Sequence, residues 1–271
     1  MFTFDVLNYP SIMGILNITP DSFYEKSRLK NHLNAIMKAK EMINDGASII
    51  DIGGESSRPG SRSVHWKEEL DRILLVIREL KKNNFFISVD TYHPETARIC
   101  LENGVEMIND ISGFTNPEMV ELVLKFKPYI VLMHMKGTPK TMQKEPFYRD
   151  VCAEVYGFLI DGATRLEKLG LPEEKIIIDP GIGFGKRYID NMNLLKNIGY
   201  LTSKKYKVLI GASRKSFLDV IINEPPENRL EGTLAVSDLC FRKKVDIVRV
   251  HDVKEHDRFF KVLKKLYEES E

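Results

Sequence analysis

Eight short apolar runs, each ending on a polar residue and each followed by an amphipathic helical stretch, predict an α/β protein folded as a (β/α)8 TIM barrel. Strict alternation of strand and helix calls for parallel strands joined by right-handed crossovers, and so many repeats favour closure over an open sheet. A length of 271 residues fits, because such a barrel occupies about 250 residues. No Pro/Ser-rich linker or shift in composition divides the chain, so residues 1–271 read as one domain. In barrels of this kind the functional groups lie at the C-terminal ends of the strands.

The first run, Ile12-Met13-Gly14-Ile15-Leu16, ends on Asn17. Leu33, Ile36, Met37 and Ile43 then share a helical face, with Gly46 placed to stop the helix. Ile49-Ile50-Asp51-Ile52 runs into Gly53-Gly54-Glu55, and Trp66, Leu70, Ile73, Leu74, Ile77 and Leu80 form the next helical stripe. Phe86 to Val89 ends on Asp90, before a helix opened by Pro94 and closed at Gly104. Met107-Ile108 ends on Asn109-Asp110, and Asn116-Pro117 supplies an N-cap and a proline at the first helical position. Tyr129 to Met133 ends on His134; Val151, Val155, Phe158, Leu159, Leu166 and Leu169 line the longest helix, with Gly170 beyond it.

Ile176-Ile177-Ile178 is β-branched throughout, as suits a strand buried on both faces, and it breaks on Asp179. Val208-Leu209-Ile210 leads to Ser213 and Lys215, and Ile247-Val248 to Arg249 and His251. The last three helices are expected at Ile189 to Leu201, Leu230 to Phe241 and Lys254 to Glu268. Two connections on the functional side, 19–30 and 53–63, are long and rich in turn residues, which makes them candidate lids.

Composition excludes several classes. Forty basic against thirty-nine acidic side chains give a formal net charge of +1, which argues against a general nucleic-acid binder. Cys100, Cys152 and Cys240 are odd in number and widely spaced, the pattern of reduced cytoplasmic thiols. The amino terminus has neither a basic n-region nor an apolar h-region, and no apolar run approaches the ~20 residues of a membrane span.

Asp90, Asn109 and Asp179 end different strands and should face one pocket. Their acceptors and one donor suit a flat heterocycle bearing NH and NH2 groups; the competing reading is N-capping and turn formation. Arg249 and His251 alternate on the last strand and so point the same way, a pair fit for an anion. An ion pair of Arg249 with Asp252 or Glu255 is the alternative. Ser213-Arg214-Lys215-Ser216 turns into a helix whose free N–H groups would favour a carboxylate or phosphate.

The glycines at 181, 183 and 185 match neither dinucleotide nor P-loop spacing, and read as a loop that turns close to a planar ligand. No His-Glu-x-x-His zinc pattern occurs, and His134 reads as a core or supporting histidine. Asn17 is the candidate metal residue, its amide oxygen suiting Mg2+ held mainly by phosphates and water.

Together these motifs resemble the dihydropteroate synthase family. The matching stretches are Gly14 to Phe23, Asp51 to Gly60, Ser88-Val-Asp-Thr-Tyr92, Ile108 to Gly113 and Leu132-Met-His-Met135. Asp179 to Lys186, Gly211 to Ser216 and Val248 to Asp252 complete the set, in order from one end of the chain to the other. The resemblance implies condensation of 6-hydroxymethyl-7,8-dihydropterin diphosphate with p-aminobenzoate, the folate-synthesis step that sulfonamides inhibit. It implies that Asp90, Asn109, Asp179 and Lys215 hold the pterin, with Met133 and Phe184 against its faces. Asn17, Arg249 and His251 would hold the diphosphate, Asn17 through Mg2+, with Ser57 and Arg58 reaching it from the second loop. Phe23, Ser57, Pro59 and Ser216 would frame the aminobenzoate. Asp90, Lys215, Arg249 and His251 would carry the chemistry.

Ser57 stands where the family usually has Thr, and Tyr24-Glu25-Lys26-Ser27 departs from its commoner glycine-containing loop. A homodimer through outer helices is a further family expectation. Rival readings are a pterin-binding methyltransferase, which would not need the Ser-Arg-Pro-Gly loop or the Arg-Val-His pair, and a pterin-binding paralogue without turnover. Intact Lys215, Arg249 and loops argue against the latter.

Overall fold

The computed structural model describes residues 10–19, 28–58 and 60–267, with the backbone alone for 28–30. Its strands are β1 (Ser11–Asn17), β2 (Ile49–Gly53), β3 (Ile87–Asp90), β4 (Met107–Asp110), β5 (Tyr129–Met133), β6 (Ile176–Asp179), β7 (Lys207–Ile210) and β8 (Ile247–Val250). They are hydrogen-bonded in sequence order, all parallel, and β8 pairs back onto β1 with Met13 opposite Arg249. The closed (β/α)8 barrel read from the alternating pattern is the fold.

Side chains alternate between the barrel interior and the helical shell, and that period of two explains where the polar groups fall. Met13, Ile49, Phe86, Met107, Val131, Ile177, Leu209 and Ile247 pack together as one apolar interior layer. Two residues further along the same strands come Ile15, Asp51, Ser88, Asn109, Met133, Asp179, Gly211 and Arg249. The interior is thus sealed by hydrocarbon at one level and polar at the next. The outward residues, such as Ile50, Ile87, Ile108, Ile130 and Ile178, join the larger core beneath the helices.

The shell begins with α1 (Arg28–Asn44) and α2 (Trp66–Lys81), followed by α3 (Pro94–Glu102) and α4 (Pro117–Phe126). Asn116 caps α4 as expected, its side chain accepting from the N–H of Glu118 at 3.0 Å. After α5 (Val151–Lys168) come α6 (Tyr188–Lys196) and the short α7 (Gly199–Thr202). The expected single helix from Ile189 to Leu201 is therefore broken, at Asn197. A short α8 (Asp219–Ile222), α9 (Leu230–Arg242) and α10 (Val253–Tyr267) finish the ring. Among the described residues no helix is long and apolar enough to cross a membrane.

Some faces differ from the expected ones. On α1, Ile36 is buried and Ile43 packs against the core as expected, but Leu33 and Met37 are exposed at 60% and 61%, and Ala35, Ala39 and Met42 are buried beside Ile36. Two alanines let the helix axis approach the sheet, and the larger residues are left outside. On α5, Phe158 and Leu169 are likewise exposed, while Tyr156 and Ala163 are buried. Ser216 does not open a full helix: it starts a three-residue 3-10 turn ahead of the four-residue α8. The helix-terminus field expected there is that of a single short turn, because the macrodipole needs a longer run of aligned peptides.

Candidate active site

Arg249 is the hub of the barrel mouth. Its Nε donates to Asp51 Oδ2 at 2.6 Å and its Nη2 to Asp90 Oδ2 at 2.8 Å. Asp51 Oδ2 also accepts from Asn109 Nδ2 at 3.1 Å, so groups from β2, β3, β4 and β8 form one network. The alternative partner of Arg249 considered above, Asp252, is engaged elsewhere, accepting from Arg214 Nε at 2.9 Å. Burial pushes the Asp90 carboxyl up to about 7, with Arg249 opposing and the neighbouring Asp51 adding to the rise.

Asp51 was not foreseen as a site residue, although an aspartate inside the run Ile49-Ile50-Asp51-Ile52 was a visible signal. It is fully buried. Its Oδ1, Ser88 Oγ and Asn109 Oδ1 are buried with no hydrogen-bond partner, all on adjacent strands. Unsatisfied buried oxygens on one side of the mouth are suited to a ligand or water bearing N–H or O–H groups.

On the opposite side, Asp179 Oδ1 accepts from the N–H of Gly181 at 2.7 Å. Lys215 Nζ donates to the carbonyl of Ile182 and lies 4.1 Å from the centre of the Phe184 ring. Burial pulls the Lys215 ammonium down to about 7, with Asp179 opposing the shift, and burial raises the Asp179 carboxyl. Met133 is opposite Asp179 in the β5–β6 register and is buried.

The glycine loop is dictated mainly by the protein. A Cβ on Gly181 would stand 2.1 Å from the carbonyl oxygen of His134, and one on Gly183 would stand 2.9 Å from Lys215 Cδ. Both have positive φ, which disfavours other residues.

Lys186 is a second residue that was not foreseen, and a cation. It is buried, and its Nζ meets His134 Nδ1 at 3.0 Å, the His134 carbonyl at 3.2 Å and the Phe184 carbonyl at 3.0 Å. These contacts tie the loop that carries Phe184 to the end of β5. Burial brings Lys186 down to about 7. His134 is the supporting residue expected, pulled down to about 3 by burial and by Lys186.

His251 is placed by Ser213, whose Oγ accepts the His251 backbone N–H at 3.2 Å and meets Nδ1 at 3.0 Å. With the hydroxyl proton on the Nδ1 side, the ring proton sits on Nε2, which is left as a donor. Burial brings His251 down to about 4, aided by Arg249, Arg214 and Arg58. Arg58, exposed on the second loop, is thus within electrostatic reach of His251.

Asn17 ends β1 opposite Gly53, with Oδ1 3.4 Å from where a Gly53 Cβ would stand and Asp90 Cβ on the other side at 3.6 Å. No group of three or more His, Cys, Asp or Glu side chains that could hold a metal occurs among the described residues. One hard amide oxygen fits Mg2+ that takes its other ligands from phosphate and water. Ser57 is half-buried and Ser216 exposed, both at the rim. Phe23, Pro59 and the stretch from Tyr24 to Ser27 lie outside the described residues.

Residues 13–251 match the model of a family described as pterin binding enzymes. The chain is 42% identical over 250 residues to the dihydropteroate synthase of Escherichia coli K12, covering 92% of this chain and 89% of that one. The chain belongs to the pterin-binding enzymes, within their dihydropteroate synthase branch. Among solved dihydropteroate synthases, the Clostridium difficile enzyme crystallised with pteroic acid superposes with a TM-score of 0.91 at 38% identity, over 99% of this chain and 100% of that one. The Xanthomonas albilineans enzyme with 4-aminobenzoic acid gives 0.90 at 35% identity, covering 97% and 95%.

The buried neutral histidines of this synthase predict acid lability. His134 and His251 titrate at about 3 and about 4, against an ordinary 6.5. The unfolded chain therefore binds more protons between those values, so their contribution is intact above about 6.5 and lost as pH falls through the window. Denaturation midpoints measured from pH 7 to pH 4 should fall, and less steeply in His251→Asn; identical slopes would remove His251 from the account.

Proposed function

We propose that this synthase condenses 6-hydroxymethyl-7,8-dihydropterin diphosphate with p-aminobenzoate to give 7,8-dihydropteroate and pyrophosphate, using the residues at the barrel mouth. The supporting observation is the shared network of Arg249 with Asp51 and Asp90, facing Asp179 and Lys215. It offers carboxylates to a pterin and cations to a diphosphate at one barrel mouth.

Asp90, Asn109 and Asp179 accept and donate at the ring edge, Lys215 adds a cation beside it, and Met133 and Phe184 cover its faces. Arg249, the Nε2–H of His251 and Arg58 meet the diphosphate. The bond between the methylene carbon and the diphosphate oxygen breaks, and its electron pair leaves with pyrophosphate. The electron-rich pterin spreads the positive charge left on the methylene, with Asp90 as nearby counter-charge. The amine of p-aminobenzoate supplies the pair for the new C–N bond and loses its proton to water. No side-chain nucleophile is needed. Asn17 would hold Mg2+ together with the diphosphate, and the ion would supply charge neutralisation for the leaving group.

Ser216 and Ser57 frame the aminobenzoate, together with Phe23 and Pro59. Because this site is drawn largely from two loops, its ordering opposes binding until the diphosphate engages Arg58. Further parts of the reading are a homodimer formed through outer helices and action in the cytoplasm, in keeping with three free cysteines among the described residues.

Pyrophosphate release that depends strictly on p-aminobenzoate tests the function; release without it, or none with it, overturns the reading. Binding order is a separate expectation. By calorimetry, p-aminobenzoate should bind about tenfold or more tightly with pyrophosphate and Mg2+ present than alone, a coupling of about 1–3 kcal/mol. Equal affinity in both conditions would show a preformed pocket.

A further inference from the structure

The second loop leaves β2 under unusual restraint. Arg72 Nη1, from α2, donates to the Gly54 carbonyl at 2.6 Å. The carboxylate of Glu55, next along the chain, accepts from the Tyr92 hydroxyl at 2.6 Å and from His93 Nε2 at 3.0 Å. Its side chain is only 8% exposed. The Tyr92 and His93 rings lie 4.4 Å apart, so both donors come from one packed unit.

That unit is the segment immediately after Asp90. Thr91 donates its hydroxyl to the buried Glu69 of α2 at 2.9 Å and accepts the His93 backbone N–H at 3.1 Å. The stretch that carries Asp90 is thereby fixed to the helical shell, and Glu55 fixes the loop to that stretch. Nothing in the reaction requires a carboxylate at position 55. Burying one is costly unless its hydrogen bonds are made, and here each oxygen has one donor, both from the same short segment.

We propose that Glu55 is a positioning residue, held by Tyr92 and His93, that sets the reach of Ser57 over the barrel mouth and thereby the affinity for p-aminobenzoate. The inference rests on the reading of the second loop as part of the aminobenzoate site. Its physical content is a loss of freedom taken in advance: a loop fastened two residues before Ser57 has fewer conformations to surrender when the aminobenzoate binds.

The strap also has a pH response. The hydrogen bond to Glu55 raises His93, burial opposes this, and Glu69 from α2, Glu55 from the loop and Glu95 from α3 are the acidic groups that face it. A raised histidine keeps the charged strap complete below its folded value and loses it as pH rises through that value.

The test is steady-state kinetics on the full chain with both substrates. Glu55→Ala should raise KM for p-aminobenzoate by about tenfold or more, the scale of lost charge-assisted hydrogen bonds, and leave KM for the pterin diphosphate within about twofold. Glu55→Gln, which retains one acceptor oxygen, should recover part of the loss. Tyr92→Phe removes a single hydroxyl and should raise the same KM by about threefold, so the strap is still tested if Glu55→Ala fails to fold. The rise in wild-type KM for p-aminobenzoate with pH should be blunted in His93→Gln.

An unchanged KM for p-aminobenzoate, or equal rises for both substrates, overturns the strap, the second by showing general damage around Asp90. Absence of p-aminobenzoate-dependent pyrophosphate release in the wild type would instead overturn the proposed function, so the two failures are distinguishable.

Discussion

Arg249→Ala is expected to cost both stability and turnover more than any other single change at the barrel mouth. Arg249 pairs with Asp51 at 2.6 Å and Asp90 at 2.8 Å, and its side chain is only 16% exposed. Removing it leaves two carboxylates facing each other without a counter-charge. Breaking a buried pair in this way costs about 3–5 kcal/mol, enough to lower the thermal midpoint by roughly 10 °C in a chain of this size.

Turnover should fall by about 10²-fold or more, as when a donor to developing negative charge is deleted. The diphosphate ester should lose more affinity than the bare hydroxymethyl pterin, although both lose some because Asp90 is released. Thermal scans of Arg249→Ala and of Arg249→Ala with Asp51→Asn provide the check. The second change removes one stranded charge, so it should restore part of the midpoint. No restoration would mean that the carboxylate pairing is not what Arg249 contributes. Equal affinity losses for the two pterins would reduce Arg249 to a support for the pocket.

Asp179→Asn is expected to reduce pterin affinity by about 10- to 100-fold, equivalent to about 1–3 kcal/mol for mispaired buried polar groups. Asp179 is 5% exposed, and its Oδ1 is already committed to the N–H of Gly181. The remaining oxygen is the acceptor available to the ring, and an amide can present a donor there instead. A second consequence follows from Lys215, which sits at about 7 with Asp179 holding it up against burial. Without that anion Lys215 titrates lower still, so the alkaline limb of pterin binding should move to lower pH. Calorimetry across pH 6 to 9 measures both effects. Unchanged affinity would remove Asp179 from the pterin site, and an unmoved limb would separate Lys215 from it.

Much of this was readable from local pattern, because local pattern is what secondary structure depends on. Short, largely continuous apolar runs identified the strands, and the polar residues that end them identified Asn17, Asp90, Asn109 and Asp179. Strand alternation put Arg249 and His251 on one face, but β8 ends at Val250, and His251 just beyond it is placed by Ser213. The proline and asparagine that open α4 behaved as their backbone preferences require.

Partner choice was not readable in the same way. Arg249 has Asp252 and Glu255 close in sequence, yet it pairs with Asp51 and Asp90, 198 and 159 positions away. Closure of the barrel brings β8 beside β1 and turns all these side chains into one low-dielectric interior, where charge pairing is settled by distance in space. Lys186 and Glu55 were missed for the same reason, since each looks like a solvated loop charge until the chain folds its acceptors or donors around it. On α1 the sequence offers a large-residue face and an alanine face. Only the packed structure turns the helix so that Ile36 is buried with Ala35 and Ala39 while Leu33 and Met37 fall outside, because the alanines allow a close helix-to-sheet approach.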